Sequence, residues 1–297
     1  MLDRLKTFLK RNKTILTVHS AVSGAIANQR NNIRDIRDSY ILGTRKPQRT
    51  PYGFTMLGST SIHHRGMQEG TFEQEETALI LQHLKDASVF VDVGANIGFY
   101  TCLGRSLGKY VIAVEPLARN LEHLYANLVN NGWNDVEVMP LGLSDRPGIA
   151  RLYGASSTGA SLIMNWAGAH KRFHRTISLS TLDNIIGNRF TGEKLFIKVD
   201  VEGVEYSVLK GSINTLHRTP QPTWIIEICL SEFYPQGQNP DYAATFELFW
   251  QNGYEVRTAD QRSQLILPAD VDRWIKAGSS DSGVINYLFI PKSEAGR

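Results

Sequence analysis

Cysteine is nearly absent: the chain has two, Cys102 and Cys229, among 297 residues. They form no C-x-x-C pair and no zinc-ligand spacing. Two thiols cannot build a disulfide framework, so the fold must rest on its own core with both thiols reduced. Long hydrophobic runs are missing too, and nothing approaches the roughly 20 apolar residues that cross a bilayer. An excess of one charge is also lacking. Against 29 acidic residues stand 32 basic ones, a net charge of +3. That excludes a polycation built to neutralise a phosphate backbone over its whole surface, and no nucleic-acid partner is expected. No internal repeat or low-complexity tract occurs. What is present is an ordinary globular composition, 42% hydrophobic and 21% charged. A chain of this length can bury a sizeable core without disulfides or metals.

The first residues are basic, with Arg4, Lys6, Lys10, Arg11 and Lys13 against Asp3. Leu2, Leu5, Phe8 and Leu9 fall on one face of a helix. We expect that helix to pack on its own domain, with weak contact to an anionic membrane surface as the alternative. Ala25-Ile26-Ala27 resembles a cleavage site, but His19 and Ser20 interrupt the apolar stretch before it, which argues against a signal peptide. A cytoplasmic location is the resulting expectation. Residues 1–70 read as a partly helical extension, and 71–297 as the main domain.

In the main domain strand-like and helix-like segments alternate. An apolar run at 89–91 enters a glycine turn at 94–98 and a helix to Leu107. A second strand, 110–114, ends at Glu115-Pro116. Leu117, Leu121, Leu124 and Leu128 then mark a helix stopped by Asn131-Gly132. A third strand, 136–139, leads to Gly142-Leu143-Ser144-Asp145. Residues 147–182 break the rhythm with two short strands, 149–153 and 176–179, around a Ser/Gly loop and a basic segment. Alternation returns with a strand at 195–199 and a helix to Leu216, then a strand at 223–229 and a helix to Asn252. Segments 254–257 and 284–290 form a closing strand pair. This order predicts a doubly wound, mostly parallel α/β sheet. In such sheets ligands bind at the carboxyl ends of the strands.

The polar residues gather at those ends. In VFVDVGANIGFYT, 89–101, a buried strand ends at Asp92 and a turn containing Gly94, Ala95, Asn96 and Gly98 opens a helix. The helix start offers unpaired N–H groups. The dinucleotide spacing G-x-G-x-x-G is missing, because Asn96 occupies the middle position, where it tolerates left-handed backbone. Glu115 ends the second strand, where two carboxylate oxygens can accept both hydroxyls of a ribose. Asp145 follows the third, placed to accept from an adenine amino group. These carboxylates at successive strand ends point to a nucleoside ligand.

With VDVGANIGFYT (91–101), AVEP (113–116), LGLSD (141–145), STGASL (157–162), STLDN (180–184), IKVDVEGVEYSVLKG (197–211) and IIEI (225–228), the chain resembles the FkbM family of methyltransferases. The resemblance covers roughly residues 70–290 and leaves out the N-terminal segment. It implies a seven-stranded, Rossmann-like class I sheet and S-adenosylmethionine as cofactor. The implied reaction is methyl transfer, usually to a hydroxyl oxygen, on a small-molecule or glycan acceptor. By that analogy Asp92, Gly94 and Gly98 shape the methionine pocket, Thr101 or the N–H groups around it meet the methionine carboxylate, and Ala95 and Asn96 belong to the same cofactor site. Glu115 with Pro116 would take the ribose, and Gly142 with Ser144 and Asp145 the adenine.

Three acids crowd IKVDVEGVEYSVLKG. Asp200 is placed to meet the methionine ammonium or the acceptor. Glu202 is the candidate for proton handling, and Glu205 opens the next helix, where its charge suits the helix dipole. Lys198 is read as a salt-bridge residue on the opposite side. His170 and His174, one helical turn apart in the basic segment, offer an imidazole base, with a solvated basic face as the alternative. The basic residues there weakly favour an acidic or phosphorylated acceptor. Asp200 with Glu202 or Glu227 could hold a hard cation, but no spacing demands a metal, and none is expected. A nicotinamide-dependent oxidoreductase and a non-catalytic binding module of the same fold stand as alternatives.

Overall fold

The computed structural model describes residues 46–58, 62–154, 158–235 and 237–294. The amphipathic segment at 2–9 and the stretch at 15–27 lie outside the described residues. Two short paired strands, β1 (Gln48–Arg49) and β2 (Thr55–Met56), precede helices α1 (Ile62–Glu69) and α2 (Gln74–Leu84). The alternating unit is β3 (Val89–Val93), α3 (Phe99–Ser106), β4 (Tyr110–Val114), α4 (Ala118–Asn130) and β5 (Glu137–Met139). The excursion comprises β6 (Gly142–Leu143), β7 (Gly148–Tyr153) and β8 (His174–Ser180), with α5 (Leu182–Ile186) after it. Then come β9 (Leu195–Val199), α6 (Glu205–Lys210), α7 (Ile213–Leu216), β10 (Thr223–Glu227) and α8 (Tyr242–Gln251). The chain closes through β11 (Tyr254–Thr258), β12 (Leu265–Ile266), α9 (Pro268–Ala277) and β13 (Asn286–Pro291).

The main sheet runs β12-β11-β13-β10-β9-β3-β4-β5. It is parallel from β10 to β5 and antiparallel from β10 to β12. The expected seven strands are all there; the eighth is the two-residue β12 on the edge, too short to leave a pattern in the sequence. Both faces are covered, which explains the unbroken apolar runs in the central strands. Val91, Ile112, Ile197 and Trp224 join one core with α5, α6, α8 and α9. Their neighbours Phe90, Val111, Phe196 and Ile225 join the other, with α1 to α4 and the β1–β2 pair.

The described part of the N-terminal extension belongs to that second core. Phe54, Met56 and Met67 are buried against Phe99 and Leu124. The side chains of Asn127 on α4 and of Asn131, which caps its C-terminus, bond the backbone of Leu57 and Thr55. The described residues before position 71 thus share a core with the elements that follow them. The two short strands expected in the excursion are β7 and β8; with β6 they form a separate sheet, β6-β8-β7, packed on Leu117 after β4 through Leu152 and Ile177.

Candidate functional site

A cavity opens at the carboxyl edge of β3, β4 and β9. Its floor is made where the chain leaves β3. Gly94 has φ +86, Asn96 φ +51 and Gly98 φ +87, so the turn folds back three times before α3 begins. Gly94 is required by contact as well as by φ, since a Cβ there would stand 1.8 Å from the Asp200 carbonyl oxygen. That closeness joins the β3 turn to the end of β9.

Glu115 lies at one end of the cavity, 5% exposed. Its Oε2 accepts from the Asn96 N–H at 2.9 Å and its Oε1 from the Leu117 N–H at 2.8 Å. Burial pushes its carboxyl up to about 7, against the pull of those two amides and the Asn120 side chain. A carboxylate offers about four acceptor positions, so beyond these three donors one remains for a ligand hydroxyl. Beside it the wall is apolar, formed by Leu141, Leu143, Leu152 and Ile177.

The other end is ionic. Asp92 and Lys198 are register partners on β3 and β9, so their side chains share a face. Lys198 Nζ lies 2.8 Å from Asp200 Oδ2 and over the Tyr100 ring. Two residues apart at the end of one strand, Lys198 and Asp200 point the same way, which corrects the opposite-side reading. The salt-bridge role itself holds. Burial lowers the Lys198 pKa, but the carboxylates of Asp200, Glu73 and Asp92 outweigh it and raise it overall. Asp92 accepts from the Thr101 hydroxyl at 2.6 Å, while its buried Oδ1 has no hydrogen-bond partner among the described residues. Burial, followed by the opposing pull of Lys198, leaves the Asp92 pKa raised.

Glu202 holds the loop that roofs the cavity. It has φ +58, and its Oε1 accepts from the Gly159 N–H and Oε2 from the Trp166 indole N–H, at 3.0 and 2.8 Å. Its carbonyl accepts from the Ser161 hydroxyl. Gly203 makes room for this, because a Cβ there would meet the Trp166 ring at 2.4 Å. Burial and the Asp200 charge push Glu202 up to about 7. Glu202→Gln must set its new NH₂ against one of the two N–H donors. We expect a loss of about 1–3 kcal/mol in urea unfolding, with faster proteolysis at residues 158–169. An unchanged midpoint and digestion pattern would refute the clamp.

Of the residues singled out in the sequence, Gly94, Asn96, Glu115, Pro116, Gly142, Asp200 and Glu202 line the one cavity. Asp92, Ala95 and Thr101 are buried directly behind it, and Gly98 starts α3 and packs on Leu124. Ser144 and Asp145 bond each other at the rim without lining the cavity. His174 is brought elsewhere: it is exposed, begins β8 rather than a helix, and bonds the Lys171 carbonyl. His170 is likewise exposed. Glu205 opens α6 as expected, accepting from the Gly203 N–H at 2.8 Å, with burial raising its carboxyl to about 8. Among the described residues no His, Cys, Asp and Glu side chains are grouped so as to hold a metal ion. Glu73, Tyr100, Lys198, Asn120 and Thr158–Ala160 also line or support the cavity. The motifs at 91–101, 157–162 and 197–211 contain Tyr100, Thr158–Ala160 and Lys198, whereas no sequence signal pointed to Glu73 or Asn120.

The raised carboxyls set a pH dependence for the ligand-free chain. Glu115, Glu202 and Glu205 have folded values near 7, 7 and 8, above the ordinary 4.5. The unfolded chain releases these protons first, so their stabilising contribution is full below about 4.5 and is lost as pH rises through 7 to 8. His64 runs the other way: burial, then His123, lower it to about 3 from 6.5, so its contribution fades as pH falls below about 6.5. Between those limits three carboxyls outweigh one imidazole, so we expect Tm to be highest near about pH 4.5 and to fall towards about pH 8, measured by scanning calorimetry.

Sheet order, helices on both faces and a cavity at the carboxyl edge define the class: this is the class I methyltransferase fold. The family model of the methyltransferase FkbM domain matches residues 92–256, and the chain belongs to that family. A hexuronic acid methyltransferase, AglP, of Haloferax volcanii is 30% identical over 155 residues, covering 48% of this chain and 58% of that protein. The match thus spans little more than half of that relative. Among solved structures, an O-methyltransferase from Bacillus cereus in complex with SAH has 10% identity and a TM-score of 0.40, covering 73% of this chain and 80% of the other. The ribosomal protein L11 methylase from Lactobacillus delbrueckii subsp. bulgaricus has 11% identity and a TM-score of 0.38, with coverages of 73% and 76%.

Proposed function

We propose that the chain is an S-adenosylmethionine-dependent methyltransferase acting on a hydroxyl oxygen of a small molecule or glycan. The observation that carries this reading is the continuity of one cavity from Glu115 to Asp200 across Gly94, with an apolar wall at one end and an ion pair at the other. The family and the sugar-acid substrate named for the relative support it.

The residues present fit such a group. The buried, unpartnered Asp92 Oδ1 and the Lys198–Asp200 pair supply both charges that an amino-acid moiety needs. Glu115 would take a ribose hydroxyl, Leu143, Leu152 and Ile177 the adenine, and Asp200 the ammonium. Bound there, the cofactor supplies an electrophilic methyl group on a positively charged sulfur. The protein's own task is alignment and exclusion of water. Positioning of two reactants is worth on the order of 7–11 kcal/mol in favourable cases. The roof loop, fastened by Glu202, closes the cavity over the ligand.

The test has two arms. Thermal shifts are measured with S-adenosylmethionine, S-adenosylhomocysteine and NAD, and labelled S-adenosylmethionine is incubated with an extract of the source organism. Stabilisation by the first two ligands and a labelled O-methyl product are expected. Stabilisation by NAD alone would overturn the reading in favour of an oxidoreductase. Binding without turnover would leave a non-catalytic module.

A further inference from the structure

We propose that Glu73 takes the proton from the acceptor hydroxyl, a role that rests on the hydroxyl-methylation reading above. Removing that proton needs a carboxylate or imidazole within reach of the cavity. The candidates named from the sequence are engaged or elsewhere. Asp200 is tied to Lys198, both oxygens of Glu202 hold the roof loop, and His174 is exposed on the excursion sheet. Glu73 lines the cavity and precedes the family match at 92–256, so the family comparison assigns it nothing.

Its placement is built rather than incidental. Glu73 sits at φ +39 in front of α2, a conformation few non-glycine residues adopt, and its carbonyl accepts from the Thr77 N–H. Its Oε2 accepts from the Tyr100 hydroxyl at 2.8 Å, and Thr77 Oγ1 backs that hydroxyl at 3.4 Å. No described residue donates to its Oε1. The charges facing it come from three elements: Lys198 and Asp200 at the end of β9, Tyr100 on α3, and Glu76 on its own helix. Burial pushes its carboxyl up to about 7, with Asp200 and Glu76 adding to the rise and Lys198 and Tyr100 opposing it. A base with that value is about half ionised at neutral pH and strong enough to accept a proton as the new bond forms.

The atoms balance. The acceptor O–H bond breaks and its proton goes to Glu73 Oε1, and from there to water. The oxygen's electron pair forms the O–CH₃ bond to the sulfonium donor's methyl group. The S–CH₃ pair stays on sulfur, leaving a neutral thioether.

Wild type, Glu73→Gln, Glu73→Asp and Tyr100→Phe are compared by calorimetric binding of S-adenosylhomocysteine and by label transfer to the source-organism extract. Glu73→Gln is expected to bind the ligand within roughly threefold of wild type while turnover falls about 10²–10⁴-fold. With the methyl donor saturating, so that Glu115 does not limit the rate, wild-type kcat/KM for the acceptor should rise with pH through about 7. That limb should vanish in Glu73→Gln and persist in Glu73→Asp. Tyr100→Phe removes a hydrogen bond that favours the charged carboxylate, so it should move the limb to higher pH. This variant also decides the matter should Glu73→Gln fail to fold. Wild-type turnover in Glu73→Gln, an unmoved limb in Tyr100→Phe, or a methyl-ester product would overturn the role. So would equal losses of ligand affinity and turnover, which would place Glu73 in the donor's seat. No labelled product from wild type would overturn the function reading, and this role with it.

Discussion

Gly94→Ala is expected to lower Tm by about 10 °C or more, or to leave the chain insoluble. The position combines two demands that alanine cannot meet together. Its φ of +86 is one an L side chain rarely adopts, and an added Cβ would stand 1.8 Å from the Asp200 oxygen and 2.9 Å from its carbonyl carbon. Both obstacles are backbone, so no rotamer change relieves them. Moving them means breaking the bonds that fasten the two strand ends, Gly94 N–H to the Val114 carbonyl at 2.9 Å and Asp200 N–H to the Val93 carbonyl at 3.0 Å. Losses above about 4 kcal/mol are exceptional for one substitution, but such a forced overlap in a packed sheet belongs to that class. Gly108→Ala is the control, because its φ of +75 imposes a comparable strain with nothing within 4 Å of the new Cβ. It should cost only about 1 kcal/mol, and equal losses in the two variants would refute the contact argument.

The central strands were readable from sequence for a physical reason. Being buried on both faces, β3, β4, β9 and β10 show unbroken apolar runs, and each ends where a carboxylate or glycine appears. The excursion strands were readable because a Ser/Gly loop and a basic segment separate them. Helix α2 was not. Its start, Gln74-Glu75-Glu76, looks like any solvated acidic segment, and nothing local says that Glu73 turns inward to Tyr100. Helix α9 was missed although Pro268 at its start and Asp270 reaching back to the Leu267 N–H form a helix-start signal, and β12 is only two residues long.

Side-chain roles were legible only as far as strand parity goes. Lys198 shares the side of Asp200, so the salt-bridge residue expected on the opposite side is part of the ionic end. Two of the three acids in IKVDVEGVEYSVLKG then separate by contact: Asp200 faces the ammonium of Lys198, whereas Glu202, in left-handed backbone, bonds a loop some 40 residues earlier in the chain. That long-range contact leaves no trace in a local window. His174 failed for the opposite reason: its helical spacing from His170 counts for nothing once the backbone there is extended.

Glu115→Gln should weaken S-adenosylhomocysteine binding by roughly 100-fold or more, measured by calorimetry, with a smaller effect on Tm. In the ligand-free chain both carboxylate oxygens already accept backbone N–H groups, from Asn96 and Leu117. A carboxamide has one acceptor oxygen, so its NH₂ must face one of those N–H groups or swing into the cavity. The first choice sets donor against donor in a buried site; the second removes the acceptor proposed for a ribose hydroxyl. Either way two hydrogen bonds to a charged group are lost or misaligned, each worth about 1.5–3 kcal/mol. Glu115→Asp keeps the charge but shortens the reach by one methylene, and should fall between wild type and the amide. The pH dependence separates charge from shape. Near pH 7 the Glu115 carboxyl is only about half ionised, so wild-type affinity should rise from pH 6 to pH 8 while that of Glu115→Gln stays nearly flat. Full affinity in Glu115→Gln at pH 8 would place the ribose elsewhere in the cavity and remove the main support for a nucleoside seated between Glu115 and Asp200.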